Sequence, residues 1–189
     1  VIEGDRRDTA EFMDSITFPD WPKEMRPFWR KYLVYMEDRL KEFDRMDEIS
    51  RARQSISDQC RAFATEPGGI YRLSVPTGSG KTLSSLRFAL AHAEKWGKQR
   101  IIFTAPLLTI LDQNAKEIRK YIGDDSVILE HHSNVVRSEN TGDQLDPKEL
   151  LEENWGAPVV ITSMVQLLNT MFSGRTGCIR RFQALCDSV

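Results

Sequence analysis

The sequence predicts an α/β protein, a parallel sheet covered by helices on both faces and preceded by a helical segment. Three observations lead there. "RIIFTA" (100–105), "VILEH" (127–131) and "PVVITS" (158–163) are short apolar runs, too brief for helices and too continuously apolar to keep one face in water. Between them lie helical patterns of roughly 10 to 16 residues, the spacing of βαβ units. Finally, "PTGSGKT" (76–82) stands where an apolar run gives way to a helical pattern.

Each element has its own signal. Residues 1–20 are polar and acidic, with Phe12 and Phe18 apart from one another. After "DWPKEMRP", Phe28, Trp29, Tyr32, Leu33, Met36, Leu40, Phe43 and Met46 recur at steps of three and four. This predicts one amphipathic helix over 28–46, with Pro27 in its first turn and an aromatic stripe as docking face. A second helix, 49–63, keeps Ile56, Cys60 and Phe63 on one side and stops before "EPGG". From Ile70 the period changes. "IYRLSV" (70–75) reads as a strand, "PTGSGKT" as a loop, and Leu83–Trp96 as a helix with Leu86, Ala89, Leu90 and Ala93 inward, stopped at Gly97. Strand 100–105 leads to a helix over 107–122 closed by Gly123, then to strand 127–131. A polar stretch, "SENTGDQLDP", precedes a short helix ending near Trp155, strand 158–163, and a helix over 164–172 stopped near Gly174. No internal repeat or low-complexity tract interrupts the order.

Composition narrows the function classes. With 26 Lys and Arg against 28 Asp and Glu, the net charge is −2, so any nucleic-acid surface must be a local patch. Cys60, Cys178 and Cys186 are odd in number and far apart, which suits reduced thiols in a cytoplasmic protein rather than a disulfide framework. No apolar stretch nears the roughly 20 residues that span a bilayer, and "VIEGDRRDT" has no signal-peptide core, so a soluble chain with no membrane partner is expected. A first residue of Val suggests a piece of a longer protein, and a tag-cleavage scar or a processed terminus would look the same.

The loop carries the sharpest chemistry. Glycines let a backbone wrap an anion, so that successive N–H groups and the head of the next helix point at phosphates. Thr77, Gly78, Ser79 and Gly80 would form that cradle, with Ser79 small enough not to crowd it. Lys81 would bring positive charge to the outer phosphates, and the Thr82 hydroxyl would help hold Mg²⁺. Val75 stands where the eight-residue pattern usually has Gly or Ala. A G-x-G-K-[ST] string arises by chance in a chain of this length on the order of once in a hundred.

Other candidates are weaker. Thr104 and Pro106 follow the second predicted strand, at the edge where open α/β sheets bind ligands, and Gln113 lies on the next helix; a nucleic-acid backbone could meet them there. Thr162 and Ser163 repeat the arrangement, either donating to a phosphate or capping a helix. His131 and His132, adjacent on an extended segment, point to opposite faces and suit a structural role better than a shared metal. Arg175, Arg180 and Arg181 form a basic cluster that reads as a solvated helix face. Asp5 and Asp8 in "EGDRRDT" read as a helix start.

Together, "GIYRLSVPTGSGKTLSSLRFALAHA", "RIIFTAPLLTILDQN", "VILEHHSN" and "VVITSMVQLLNTMF" resemble the first RecA-like lobe of a superfamily-two helicase. Within that superfamily they are similar to the CRISPR-associated helicase-nuclease of type I interference systems. "ISRARQSISDQC" resembles that family's adenine-side Q motif, with Arg53 at its arginine, and "VIEGDRRDTAEF" resembles the end of its HD nuclease domain, with Asp5 at a metal-binding aspartate and Glu3-Gly4 in place of Asp-Ala. The resemblance implies three parts: 1–20, the tail of an HD nuclease-like domain; 21–48, a connecting amphipathic helix; and 49–189, an incomplete RecA-like lobe that stops before its Walker B acid. Asp187, after the helix-like "RRFQALC", is in the wrong context to be that acid.

For the parent protein the resemblance implies ATP and Mg²⁺ as cofactors and a divalent transition metal in the HD site. It implies translocation on single-stranded DNA from three-prime to five-prime, cleavage of that DNA, and recruitment by an RNA-guided CRISPR surveillance complex. The chain itself is expected to be inactive. Two rivals remain: another superfamily-two translocase of restriction or recombination type, and a short non-catalytic product that binds nucleotide or a partner through helix 28–46.

Overall fold

The computed structural model describes residues 19–43, 47–132, 152, 154–174 and 176–189. Two helices come first, α1 (Met25–Leu40) and α2 (Glu48–Phe63), followed by the phosphate loop and α3 (Lys81–Trp96). Then come β1 (Ile101–Ala105), α4 (Leu108–Ile122), a single 3-10 turn, β2 (Ile128–His131), β3 (Val159–Ser163), α5 (Met164–Phe172) and α6 (Thr176–Leu185). The three strands are parallel in the order β1-β3-β2, so β3 enters between its predecessors; Ile101 and Ile128 both lie opposite Val159.

Alternation along the strands divides the core. Ile101, Phe103, Ala105, Val159 and Ile161 face α1, α3 and α4, whereas Ile102, Leu129 and Val160 face Trp155, Leu167 of α5 and Ala184 of α6. Helices therefore cover both faces, as a parallel sheet requires. The predicted stops at Gly97 and Gly123 are the C-caps of α3 and α4.

Helix α1 begins at Met25 and ends at Leu40, six residues short of the predicted end. Its stripe of Met25, Trp29, Tyr32, Leu33, Met36 and Leu40 is buried, so this face is docked inside the chain rather than offered to a partner. The polar tips of its aromatics fix the docking. Trp29 donates to the Lys98 carbonyl at 2.5 Å and Tyr32 donates to Asp124 at 2.8 Å. Phe43 has left the helix and stacks near Tyr121 of α4, so its helical spacing in the sequence reflects a tertiary contact.

The strand expected over Ile70–Val75 does not form. This stretch has no regular secondary structure and is largely exposed, Ile70 completely, with no ladder partner among the described residues. A strand is defined by pairing, and the outer edge of β1 is already engaged: Val189 accepts from the Ile102 amide and donates to the Arg100 carbonyl, both at 2.9 Å. The predicted polar stretch over 138–147 lies outside the described residues, as does most of the short helix before Trp155. Residues 1–18, with Asp5 and Asp8, lie outside them too. The three cysteines are free thiols, and among the described residues no helix is long and apolar enough to cross a membrane.

Arg87 of α3, 6% exposed, ties three helices together. It grips Glu37 of α1 through two bonds of 2.7 and 2.8 Å, and Asp58 and Ser57 of α2 at 2.6 and 3.1 Å. Burial works against its charge, but the two carboxylates outweigh burial and hold its pKa above the ordinary value. Arg87→Met should cost roughly 2 to 3 kcal/mol in urea unfolding, less than a fully buried pair because Asp58 is more than half exposed. Arg87→Lys should recover little, since an ammonium lacks the fork that spans both acids.

His92, buried between Phe88 and Trp96, pairs through Nδ1 with the Ala64 carbonyl at 3.0 Å. Burial lowers its pKa from the ordinary 6.5, against the opposing pull of that hydrogen bond. Folded His92 thus takes up a proton less readily than unfolded His92, so its contribution is complete above pH 6.5 and fades as the pH falls below it. Between about pH 7.5 and 5.5 the thermal midpoint should drop more steeply than in His92→Gln.

Candidate functional site

The loop between Val75 and α3 takes its shape from two glycines. Gly78 and Gly80 both have φ of +79°, a left-handed geometry that L side chains resist, and a Cβ at either would meet nothing within 4 Å. Space above the loop is therefore open. Ser79 turns inward and its hydroxyl donates to the Pro76 carbonyl at 2.8 Å, which braces the turn. Thr77 lies exposed on the turn.

Gly80 is also the N-cap of α3 and supplies no side-chain cap. Its carbonyl accepts from the Ser84 amide at 3.0 Å, whereas the amides of Lys81, Thr82 and Leu83 precede the first intrahelical bond and have no partner within the helix. Lys81 is exposed, and Thr82 is half-buried with its hydroxyl donated to Asn114 of α4 at 3.0 Å. An open cradle of amides, a cation and a hydroxyl are the donor set that a Mg²⁺-bound phosphate chain calls for.

Beside the loop lies a cavity of about 370 Å³. Leu40, Phe43 and Leu83 form its apolar walls, and Arg53 and Gln54 of α2 its polar side. Arg53 Nε donates to the Gly78 carbonyl at 2.8 Å, so this residue both lines the cavity and steadies the phosphate loop. Flat apolar walls with a few polar groups suit a planar heterocycle.

A model of the family described as type III restriction enzyme, res subunit, matches residues 43–175, more than two thirds of the chain. The chain belongs to this family. The family is one of superfamily-two helicase domains, which at the family level are ATPases that use ATP and Mg²⁺ and act on nucleic acid. The span matched to the res-subunit family opens at Phe43, on the cavity wall, and contains α2, the phosphate loop and all three strands. Helix α1 precedes it and packs on the back of α3.

The predicted nucleic-acid residues separate. Pro106 and Gln113 are exposed around the start of α4, beside exposed Leu107 and Ile110. Thr104 and Thr162 lie side by side on the sheet face that carries Ile102 and Val160. The Thr104 hydroxyl is buried without a hydrogen-bond partner, and Thr162, fully buried, donates to the His131 carbonyl at 2.8 Å. Ser163 caps α5 by accepting from the Gln166 amide at 3.3 Å. Of the five, only Pro106 and Gln113 have side chains presented to solvent.

His131 and His132 diverge. His131 accepts from the Trp155 indole, while His132 is buried 3.5 Å from Glu130 and 3.7 Å from Asp112. Among the described residues, no group of three or more His, Cys, Asp and Glu side chains is placed to hold a metal. Arg181 donates to the Glu152 carbonyl and to Gln166, and Arg175 lies outside the described residues. Asp187 closes the turn after α6 and pairs with Lys98 at 3.0 Å.

Sequence reading missed Asn114, Gln54, Leu40 and Phe43 at this site. Asn114 had a faint signal, as the neighbour of Gln113 on the helix after a strand; the cavity walls had none, because their role arises only from packing. With nothing near a Cβ at position 80, Gly80→Ala should cost only the left-handed backbone penalty, about 1 to 2 kcal/mol in urea unfolding.

Proposed function

We propose that the chain is the nucleotide-binding part of the first RecA-like lobe of an ATP-driven DNA translocase. The observation that carries this reading is the phosphate loop at the head of α3, open above Gly78 and Gly80, with Lys81 and Thr82 beside it. The amides of 81–83 would take the β- and γ-phosphates, Lys81 would neutralise them and Thr82 would hold Mg²⁺. The bound cation would offset charge between those phosphates. Arg53, Gln54, Leu40 and Phe43 would enclose the adenine. Pro106 and Gln113 would meet a single DNA strand at the start of α4, where the apolar Leu107 and Ile110 offer surface for a base.

None of the three strands ends on a carboxylate: their last residues are Ala105, His131 and Ser163. Hydrolysis needs an acid at such a position to hold Mg²⁺ and orient water. The chain by itself is therefore proposed to bind ATP without turning it over.

For the parent protein, the order of motifs, with "FALAHA" and "EHHS", supports a CRISPR type I helicase-nuclease that acts on single-stranded DNA with an RNA-guided surveillance complex. A restriction-type translocase is the second reading, favoured by the description of the matched family. Nuclease chemistry would need the HD metal ligands. Asp5 lies outside the described residues, and the described ones hold no such set.

Calorimetric titration with MgATP tests the central reading. Lys81→Ala should weaken binding by roughly 1.5 to 3 kcal/mol, the scale of a hydrogen bond to a charged group. An unchanged affinity would refute the assignment of the loop, and steady ATP turnover by the 189-residue chain, abolished in Lys81→Ala, would refute the claim that it lacks a catalytic acid.

A further inference from the structure

A hydroxyl can serve Mg²⁺ only through a lone pair on its oxygen, with its proton directed elsewhere. The Thr82 hydroxyl is a rotor, and in this structure a single acceptor directs its proton: Asn114 Oδ1 on α4, 3.0 Å away. Both residues are half-buried, so water competes poorly for that proton. With the proton committed to α4, both lone pairs of Oγ1 remain for a cation. The opposite amide orientation would put an Nδ2 donor against Oγ1 and occupy a lone pair. Among the described residues the Asn114 side chain has no other hydrogen bond, which fits a side chain whose work is at Thr82.

We infer that Asn114 is a positioning residue for the cation site, orienting the Thr82 hydroxyl so that its lone pairs face Mg²⁺. The inference rests on the MgATP reading of the loop and deepens it by bringing in a residue from a different helix. Only the carbonyl oxygen of Asn114 matters to this role. A carboxylate should substitute for it, and an apolar side chain of the same shape should not.

The test is the Mg²⁺ enhancement of ATP affinity, the ratio of dissociation constants in EDTA and in excess Mg²⁺, measured by titration without reference to turnover. Asn114→Ala should reduce the enhancement about threefold to tenfold, the worth of a hydrogen bond, while affinity in EDTA stays at the wild-type value. Asn114→Asp should retain the enhancement. Thr82→Val should lose it, and adding Asn114→Ala to Thr82→Val should cost nothing more, because the two act through one contact. Full enhancement in Asn114→Ala, or additive losses in the double variant, would overturn the inference. If Asn114→Ala loses its cooperative thermal transition, Asn114→Leu carries the same comparison. A wild-type chain that binds ATP equally well with and without Mg²⁺ would overturn the inference while leaving the phosphate loop standing. One that binds no ATP at all would overturn the MgATP reading and this inference with it.

Discussion

A loop can present its amides to an anion only if the helix behind it is fixed, and here that constraint falls on α3. Leu86, Leu90 and Ala93 are fully buried between α1, α4 and the sheet, and burying each leucine is worth about 1.5 to 3 kcal/mol. Hydrophobic burial sets which face each helix turns inward. Arg87 adds a directional tie, because its planar fork meets Glu37 on α1 and Asp58 on α2 at once. The same ion cluster sets α2, and α2 carries Arg53 to the Gly78 carbonyl. Removing the cluster would therefore loosen the loop and the adjoining cavity together.

Helix α4 spans the two sites proposed for DNA and for the cation. Its buried side, Leu111, Ala115 and Ile118, packs into the core, while Gln113 is exposed and Asn114 reaches Thr82. A helix turns about 100° per residue, so these neighbours address different surroundings from one rigid body. Any displacement of α4 by a strand bound at its start would be felt at the Thr82 hydroxyl.

The exposed apolar surface is grouped. Ile70, Tyr71 and Leu73 lie along the segment before the loop, and Val165, Leu168, Met171, Phe172, Ile179 and Phe182 lie on α5 and α6. Such groups mark surfaces that favour association.

Much of this was legible in the sequence because it is local. The GSGKT spacing requires its turn, Gly97 and Gly123 stop their helices, and the apolar runs at 101–105, 128–131 and 159–163 can be little but buried strands. Strand Ile70–Val75 was misread because pairing is not local: the residues have β propensity, but the edge of β1 is held by Val189. Helix α1 was read too long for a related reason, as Phe43 keeps a helical period while stacking on a ring nearly eighty positions away. The threonines after the strands showed the same limit. A sequence places a hydroxyl at a strand end, but the pleat decides whether it faces solvent or, like Thr162, a neighbouring carbonyl. What the sequence determined by itself was the glycine-shaped turn ahead of α3 and the α/β class, since both follow from spacing along the chain. Only the tertiary structure decided that Arg53 braces Gly78, that Arg87 locks three helices and that Asn114 holds Thr82, because each contact joins residues at least 25 positions apart and depends on how helices rotate against one another.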